Sequence, residues 1–523
     1  MNRFSMLHGA DACTTRLARG WRLERITPAS QLFGANGIQF GPDHRLYVAQ
    51  AMGSQITAID PLTGTLDHIA MNGGPITGPD DVAFDTGGNL YATEVMSARV
   101  SRRRPDGRVD FVADDLPSAN GVTVFNDRLF IDEHRPGGRL FELYPNSDRA
   151  PRLIADELDG PNALAGGPDG KLYFPLVPRG EIWRVDPETG KLEKVTDGLL
   201  FPTACKFTPS GELLSPQAGN GEVVRIDPAT GRHQVIARVR PGIDNLAIDR
   251  SGRLFLSHYV DGGVAEVRTD GSNGERVLVP PGWVGPWGIA CDPSGTALVA
   301  DGLSLAALDS SGRIHHIGSP LDRSAPRFVR AVAPGAPGEI LMTTARGDIL
   351  RYHLADGQTR MQAKKLGELK GLCAGPGHQV FAVRATDGAI LDIDDSGTAR
   401  VLVSGLNHPT DVIAIDGTLY VSEAGAGRVA RIQEGTVTTA IGGLGNPRGL
   451  AQTNGQLYVL DRGRRALLAL PDGGSGDGSI IAENLPVGAA CPLDFAGGLS
   501  IDHRGGLLIA ADGEGSVLRL SMG

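Results

Sequence analysis

The sequence predicts an all-β protein built as tandem β-propellers, with twelve four-stranded blades arranged as two six-bladed rings. Three observations carry this expectation: a turn-dense composition, a repeat of about 40 residues running the whole length of the chain, and several short strand patterns inside each repeat. The 73 Gly and 34 Pro make up about one residue in five, yet 41% of the 523 residues are hydrophobic, which argues against disorder and for many short strands joined by tight turns. The length exceeds what one hydrophobic core supports, so two domains are expected.

The repeat is read from "GANGIQFGPDHRLYVAQ", residues 34–50: a turn, an apolar strand, a second turn and a second strand. It recurs as "GPDDVAFDTGGNLYATE", "SANGVTVFNDRLFIDEH", "GPNALAGGPDGKLYFPL" and eight further copies. Taking the residue before the first strand as a marker, the twelve copies begin at Asn36, Asp80, Asn120, Asn162, Thr203, Asp244, Trp287, Arg330, Lys370, Thr410, Arg448 and Gly497, with spacings of 38 to 49 residues. Most copies add a third strand such as "GEIWRVDPETG" and a fourth such as "KLEKVT", and the "DPxTG" turn places Asp, Pro and Gly where a reversal needs them. A parallel β-solenoid would have shorter rungs and no antiparallel hairpins.

The last copy ends at its third strand, "GSVLRLSMG", whereas "GWRLERI" precedes the first copy with no blade of its own. A borrowed strand would remove exposed edges. The expected arrangement has residues 21–26 completing the sixth blade and "GERVLVP", residues 274–280, completing the twelfth. The domains are then a 1–20 N-terminal extension, a 21–272 propeller and a 273–523 propeller. One twelve-bladed ring is the competing arrangement, but its hole would be too wide for side chains to fill.

A net charge of -10 gives no basic footprint for nucleic acid. The start "MNRFSMLHGADACTTRLARG" lacks the apolar stretch of a secretory signal, and no run of about 18 apolar residues offers a membrane span, so a soluble, cytoplasmic protein is expected. Cys13, Cys205, Cys291, Cys373 and Cys491 form no CxxC pair and read as reduced structural thiols. There is no GxSxG elbow before a helix, no HExxH, no P-loop and no dinucleotide fingerprint.

In a propeller the first strand of each blade lines the channel and the second returns to the same face, so two positions per blade look into one mouth. In the first half the first position reads Asn36, Asp80, Asn120, Asn162, Thr203 and Asp244; in the second half it reads Trp287, Arg330, Lys370, Thr410, Arg448 and Gly497. Asn and Asp are hard oxygen donors suited to a divalent cation, and they are also favoured in turns for local backbone hydrogen bonds. Turn chemistry alone would make the halves alike, which favours a metal site in the first. The second position supplies Glu94, Glu133, His134 and His258 as candidate general bases or further ligands. In the second half Arg330, Lys370, Arg384, Arg448 and Arg462, with Asp301, Glu423, Asp461 and Asp512, read as an anion site, a contact surface or a solvated rim.

With Asn36-Gly37, Asn120-Gly121 and Asp80 preceding "GIxF", "GVxV" and "VAF" strands, each followed by a turn and an "LYVA"-like strand, residues 21–272 resemble the senescence marker protein/gluconolactonase family, whose relatives include regucalcin and strictosidine synthase-like propellers. That resemblance implies a six-bladed propeller with one divalent cation on its axis and, in many members, hydrolysis of lactones. It also implies ligands: a Glu from the first blade, Asn in an Asn-Gly context and a late Asp in an Asp-Gly context. Asn120-Gly121 matches; Asn162 is followed by Ala163, Asp244 by Asn245, and Asn36 occupies the slot of the Glu, with Glu94 the nearest carboxylate. "LYATE" and "LYVSE" also resemble virginiamycin B lyase and NHL repeats, which implies Mg²⁺-assisted elimination with Glu94, Glu133, His134 and His258 as counterparts; the blade count argues against that seven-bladed fold.

The expected function is a metal-dependent hydrolase opening a lactone or related cyclic ester in the first propeller, with a small-molecule substrate. One divalent cation, Ca²⁺ before Mg²⁺, Mn²⁺ or Zn²⁺, would be held by Asn120, Asn162 and Asp244 with Asp80 or Asn36. The second propeller would be degenerate, a lid or the interface of a homo-oligomer. A non-enzymatic scaffold and lyase-type elimination are the alternatives.

Overall fold

The structure is a computed structural model describing residues 14–269, 274–318, 321, 325–471, 478–488 and 497–523. Among the described residues there are twelve antiparallel sheets, eleven of four strands and one of five, and the only helical element is the single 3-10 turn Val177–Arg179. The chain divides into two compact units, one within Gln31–Val284 and one built from residues from Gly285 onward together with the segment up to Ser30.

Each unit closes as a ring of six. In the first, the first strand of blade six (Ile243–Ile248) packs beside that of blade one (Ile38–Phe40). In the second, Pro286–Cys291 of blade seven packs beside Leu499–Ile501 of blade twelve. The core lies between blades. Tyr47, Ala49 and Ile56 of blade one pack on Val82, Leu90 and Ala92 of blade two, and Leu46 and Val48 pack on Phe255 and Val264 of blade six. Because a neighbour covers each face, second strands such as Leu46–Gln50 and Leu90–Glu94 are buried at every residue, which is why they read as apolar runs without alternation. The "DPxTG" turns close on Asp side chains: Asp60 Oδ1 accepts the Leu62 and Thr63 N–H at 2.8 and 3.0 Å.

Ring closure corrects the expected strand exchange. Glu275–Val279 pairs with Val264–Val267 and completes blade six itself, whereas Trp21–Arg25 pairs with Ser516–Met522 and completes blade twelve, in the register Trp21↔Met522, Leu23↔Leu520, Arg25↔Leu518. The physical reason is loop closure: Glu275 follows Val267 within one short connection, so pairing them costs less chain entropy than pairing either with a strand from the far end of the chain. The boundaries therefore fall at residues 30/31 and 284/285, in place of 20/21 and 272/273. The supposed N-terminal extension also contributes structure, since Arg16–Leu17 adds a fifth strand to blade eleven through Arg16↔Glu483 and Leu17↔Ala482. Cys205, Cys291 and Cys373 are free thiols; Cys13 and Cys491 lie outside the described residues. No helix among the described residues is long and apolar enough to cross a membrane.

Candidate functional site

The marker positions gather at the channel mouth of the first unit. Asp80 and Asn120 are the second residues of the first strands Pro79–Phe84 and Ala119–Phe125, and Asp244 is the second residue of Ile243–Ile248. Asn120 Nδ2 donates to Asp80 Oδ2 at 2.8 Å. Burial, with the neighbouring Asp81 charge, pushes the Asp80 carboxyl up to about 7. Burial followed by the charges of Asp80 and Asp81 holds Asp244 well above the usual carboxylate range. The structure thus brings together Asp80, Asn120 and Asp244.

The Asn36 and Asn162 amides are each partly engaged by backbone N–H groups of their own blades. Asn36 Oδ1 accepts the N–H of Ala51, just past strand two of its own blade, at 3.1 Å, and Asn162 Oδ1 accepts the N–H of its neighbour Ala163 at 2.7 Å. The glycine after the marker has a packing cause. A Cβ on Gly37 would stand 2.2 Å from Asp81 Oδ1 and 2.7 Å from the Asp80 carbonyl, and one on Gly121 would stand 2.6 Å from Asp132 Oδ2.

A second, deeper layer lies outside the residues that the sequence pattern singles out. Asp81 Oδ1 accepts the Val82 N–H at 2.9 Å and its Oδ2 accepts the Val122 N–H of the next blade at 3.1 Å, so one carboxylate ties blade two to blade three. Asp411 repeats this between blades ten and eleven, accepting Val412 and Leu450 N–H at 3.0 Å each. The shared "DV" one residue past the marker, in "PDDVAF" and "PTDVIAI", is the sequence signal for this clamp. Asp132, in the middle of a buried second strand, accepts the Gly121 N–H through Oδ1 at 3.1 Å, while its Oδ2 has no hydrogen-bond partner. Burial pushes it up to about 8, so it stays protonated at neutral pH.

Three of the four expected bases are built into the blades. Glu94 is fully buried; its carboxylate accepts the Thr77 N–H at 2.8 Å, Arg99 Nε at 2.8 Å and the Ser101 hydroxyl. Glu133 is clamped by Arg135 and Arg139. This position plays the same structural part in blade after blade, where the side chain ending strand two hooks the loop entering strand one. Gln50 accepts Phe33 N–H at 2.9 Å, Gln217 accepts Leu200 N–H at 2.6 Å, and Asp301, Glu423, Asp461 and Asp512 accept Gly285, Asn407, Gly445 and Gly488 N–H at 2.6 to 3.1 Å. At blade six the loop position that donates elsewhere is Pro241, which has no N–H, and His258 takes the place of the acceptor. Its ring is sealed from solvent, neither nitrogen has a hydrogen-bond partner, and burial lowers it to about 3.

His134 differs. It is only partly buried, and its Nδ1 donates to the Pro161 carbonyl at 3.0 Å, next to the marker Asn162. Burial lowers its pKa, and the carbonyl fixes the proton on Nδ1, so the ring is a neutral imidazole with Nε2 as the acceptor nitrogen. Glu94→Ala tests the assignment of Glu94 to the hook. It leaves Arg99 and the Thr77 N–H without their acceptor, and a loss of about 3 kcal/mol in unfolding free energy is expected in denaturant titration. Catalytic rate per folded molecule should change less than threefold.

No known family profile matches the chain. A gluconolactonase of Zymomonas mobilis subsp. mobilis is 27% identical over 162 residues, 26% of this chain and 46% of that protein, so the chain spans about half the length of the curated relative it matches. Among solved structures, a streptogramin B lyase is 17% identical with a TM-score of 0.40, over 57% of this chain and 98% of that one. A gluconolactonase from Xanthomonas campestris is 18% identical with a TM-score of 0.36, over 56% of this chain and 100% of that one.

Proposed function

We propose that the first unit is a cation-assisted hydrolase that opens a lactone or related cyclic ester at the Asp80–Asn120–Asp244 mouth. The observation that carries this reading is geometric and electrostatic together: Asn120 ties to Asp80 in the mouth, burial and Asp81 raise Asp80, burial with Asp80 and Asp81 raises Asp244, and no cationic side chain is among the groups that shift either one. Buried carboxylates are ordinarily paired or hold a metal. Among the described residues no three His, Cys, Asp or Glu side chains form a ligand cluster, so the set depends on amide oxygens. The donors present fit a hard cation on that basis: two carboxylates, Asn120, whose Nδ2 contact with Asp80 leaves Oδ1 as an acceptor, and Asn162. Ca²⁺ fits such an all-oxygen set best.

When bound, such a cation polarises a carbonyl and lowers the pKa of water. The chain's own residues supply the rest. Asp80 and Asp244 are the carboxylates that would hold the cation, and Asn120 orients Asp80 through Nδ2. His134 Nε2 takes the proton of the attacking water, its tautomer held by Pro161. The partial likeness to a curated gluconolactonase supports the substrate class.

The test is metal analysis of the purified protein together with hydrolysis of glucono-δ-lactone, followed in a pH-stat, before and after EDTA. A loss of at least 100-fold on chelation, restored by Ca²⁺, Mg²⁺, Mn²⁺ or Zn²⁺, is expected. Hydrolysis indifferent to EDTA, or the absence of any hydrolysis across a lactone panel with all four cations, overturns the reading. An alkene product would assign elimination.

A further inference from the structure

We propose that the first unit carries a second ligand site, at the end of its channel opposite the Asp80–Asn120–Asp244 mouth, and that this site takes a small organic cation, an apolar ring body bearing a protonated amine. A cavity of about 890 Å³ opens there, within the size range of small-molecule sites. It lies where the first strands of blades one, two, three and six run out, at Phe40, Phe84, Val124 and Ile248, and where the hairpin turns that follow them close. Asp80 and Phe84 sit on one strand, so about 13 Å separates the cavity from the mouth.

The floor is apolar and preformed. Phe40 and Phe84 are half-buried, and each is fixed edge-on to a second ring, Phe40 to Phe255 at 5.3 Å and Phe84 to Tyr47 at 4.8 Å between centroids. A floor already held in place costs a ligand little ordering. The apolar lining reaches the rim through Leu62, which is 71% exposed in the turn "DPLTG", at a place that Glu188 holds in "DPETG" and Ala229 in "DPATG".

The rim selects the charge. Five carboxylates line the cavity, Asp43, Asp60, Asp85, Asp127 and Asp249, against the three guanidiniums of Arg45, Arg250 and Arg253. Arg45 bridges Asp43 at 2.7 Å and Asp67, which lies outside the cavity lining, at 2.8 Å, and Arg253 pairs with Asp249 at 2.7 Å. Asp60, Asp85 and Asp127 take neutral donors instead, and among the described residues none of them forms an ion pair. Asp60 accepts the Leu62 and Thr63 N–H groups, Asp85 accepts Asn89 and the Tyr91 hydroxyl, and Asp127 accepts the Thr86 hydroxyl at 3.1 Å. The Thr63 and Leu62 N–H groups hold Asp60 below the usual carboxylate range; burial acts upward on Asp85, but the Asn89 and Tyr91 hydrogen bonds outweigh it, so both are charged at neutral pH. A surplus of carboxylate charge around an aromatic floor favours an ammonium group on both counts. Arg250, exposed and in no ion pair among the described residues, acts against such a ligand. This site is independent of the hydrolase reading and stands or falls separately from it.

The experiment titrates the full-length protein by calorimetry at low ionic strength, with Ca²⁺ present, against 2-phenylethylamine, 3-phenylpropionate and 2-phenylethanol, which share a ring and linker and differ in charge. The amine is expected to bind saturably and more than threefold tighter than the acid, with the alcohol between them. Asp127→Asn suits the left-handed backbone of that turn, φ 57°, and should weaken the amine about threefold, whereas Arg250→Glu should tighten it about threefold. Lactone hydrolysis should stay as in the parent in both, and Asp244→Asn, at the opposite mouth, should leave amine binding unchanged. No saturable amine binding, acid binding within threefold of the amine or tighter, loss of amine binding in Asp244→Asn, or amine binding that neither rim variant moves in the expected direction overturns the proposal.

Discussion

A chain lacking residues 1–26 is expected to lose the thermal transition of the second unit and to keep that of the first. Trp21–Arg25 is the fourth strand of blade twelve, so its removal strips the ladder from Ser516–Met522, an otherwise buried strand. Arg25 holds the buried Glu514 through two guanidinium nitrogens at 2.7 to 3.0 Å, and the Ile26 N–H donates to the Val517 carbonyl at 2.9 Å. Trp21 and Leu23 pack on the core between blades eleven and twelve, with the Trp21 ring edge-on to Tyr458 at 6.2 Å. At about 1 kcal/mol per lost hydrogen bond plus the exposed apolar surface, the deficit is about 5 kcal/mol or more, comparable with the whole stability of a typical domain.

Calorimetry checks the loss, and a permuted chain separates loss of pairing from damage to the sequence. The Gly523 N–H already donates to the Gly20 carbonyl at 2.8 Å. A chain starting at Gln31 and running from Gly523 directly into Gly20–Ser30 should therefore form the same pair as a hairpin and recover both transitions. Two intact transitions in the truncated chain would show that blade twelve does not need this strand.

The propeller is legible in the sequence because its signal repeats: each blade restates the strand pattern, and errors at one copy are corrected by the others. The closing strands are not, because "GWRLERI" and "GERVLVP" are equally good strands and pattern alone says nothing of their partners. Chain direction and connection length decide, and they favour the local return of Glu275–Val279 onto Val264–Val267. The Asp and Asn markers are legible through contrast between halves, since turn preference acts on both. Glu94 and Glu133 mislead because the end of strand two carries the same residue types whether it faces a channel or hooks a loop. A signal does exist: Glu94 and Glu423 each precede an arginine by five residues, and Glu94↔Arg99 and Glu423↔Arg428 are cross-strand partners in their hairpins. Asp132 escapes notice because an acid inside an apolar strand looks like noise until its burial is seen.

Asp244→Asn is expected to stabilise the first unit above pH 7 in EDTA while removing its hydrolysis. The folded-state pKa of Asp244 is raised by burial and by Asp80 and Asp81, so between the ordinary carboxylate value and its folded value the native state binds more protons than the unfolded one. Stability then falls as pH rises through that window, by about 1.4 kcal/mol per pH unit for one group. Asn removes both the titration and the repulsion on Asp80, so the slope flattens and the metal-free variant melts higher than the parent at pH 8. The same change removes a hard ligand. Added Ca²⁺, which should raise the parent's transition increasingly as pH rises and the carboxylates ionise, should leave the variant's unmoved, and lactone hydrolysis should drop at least 100-fold. A site arranged for folding alone would show the first effect without the second, and a cation-binding site shows both, because the charge that destabilises the empty channel is the charge that binds the ion. Equal Ca²⁺ shifts in parent and variant would remove Asp244 from the ligand set.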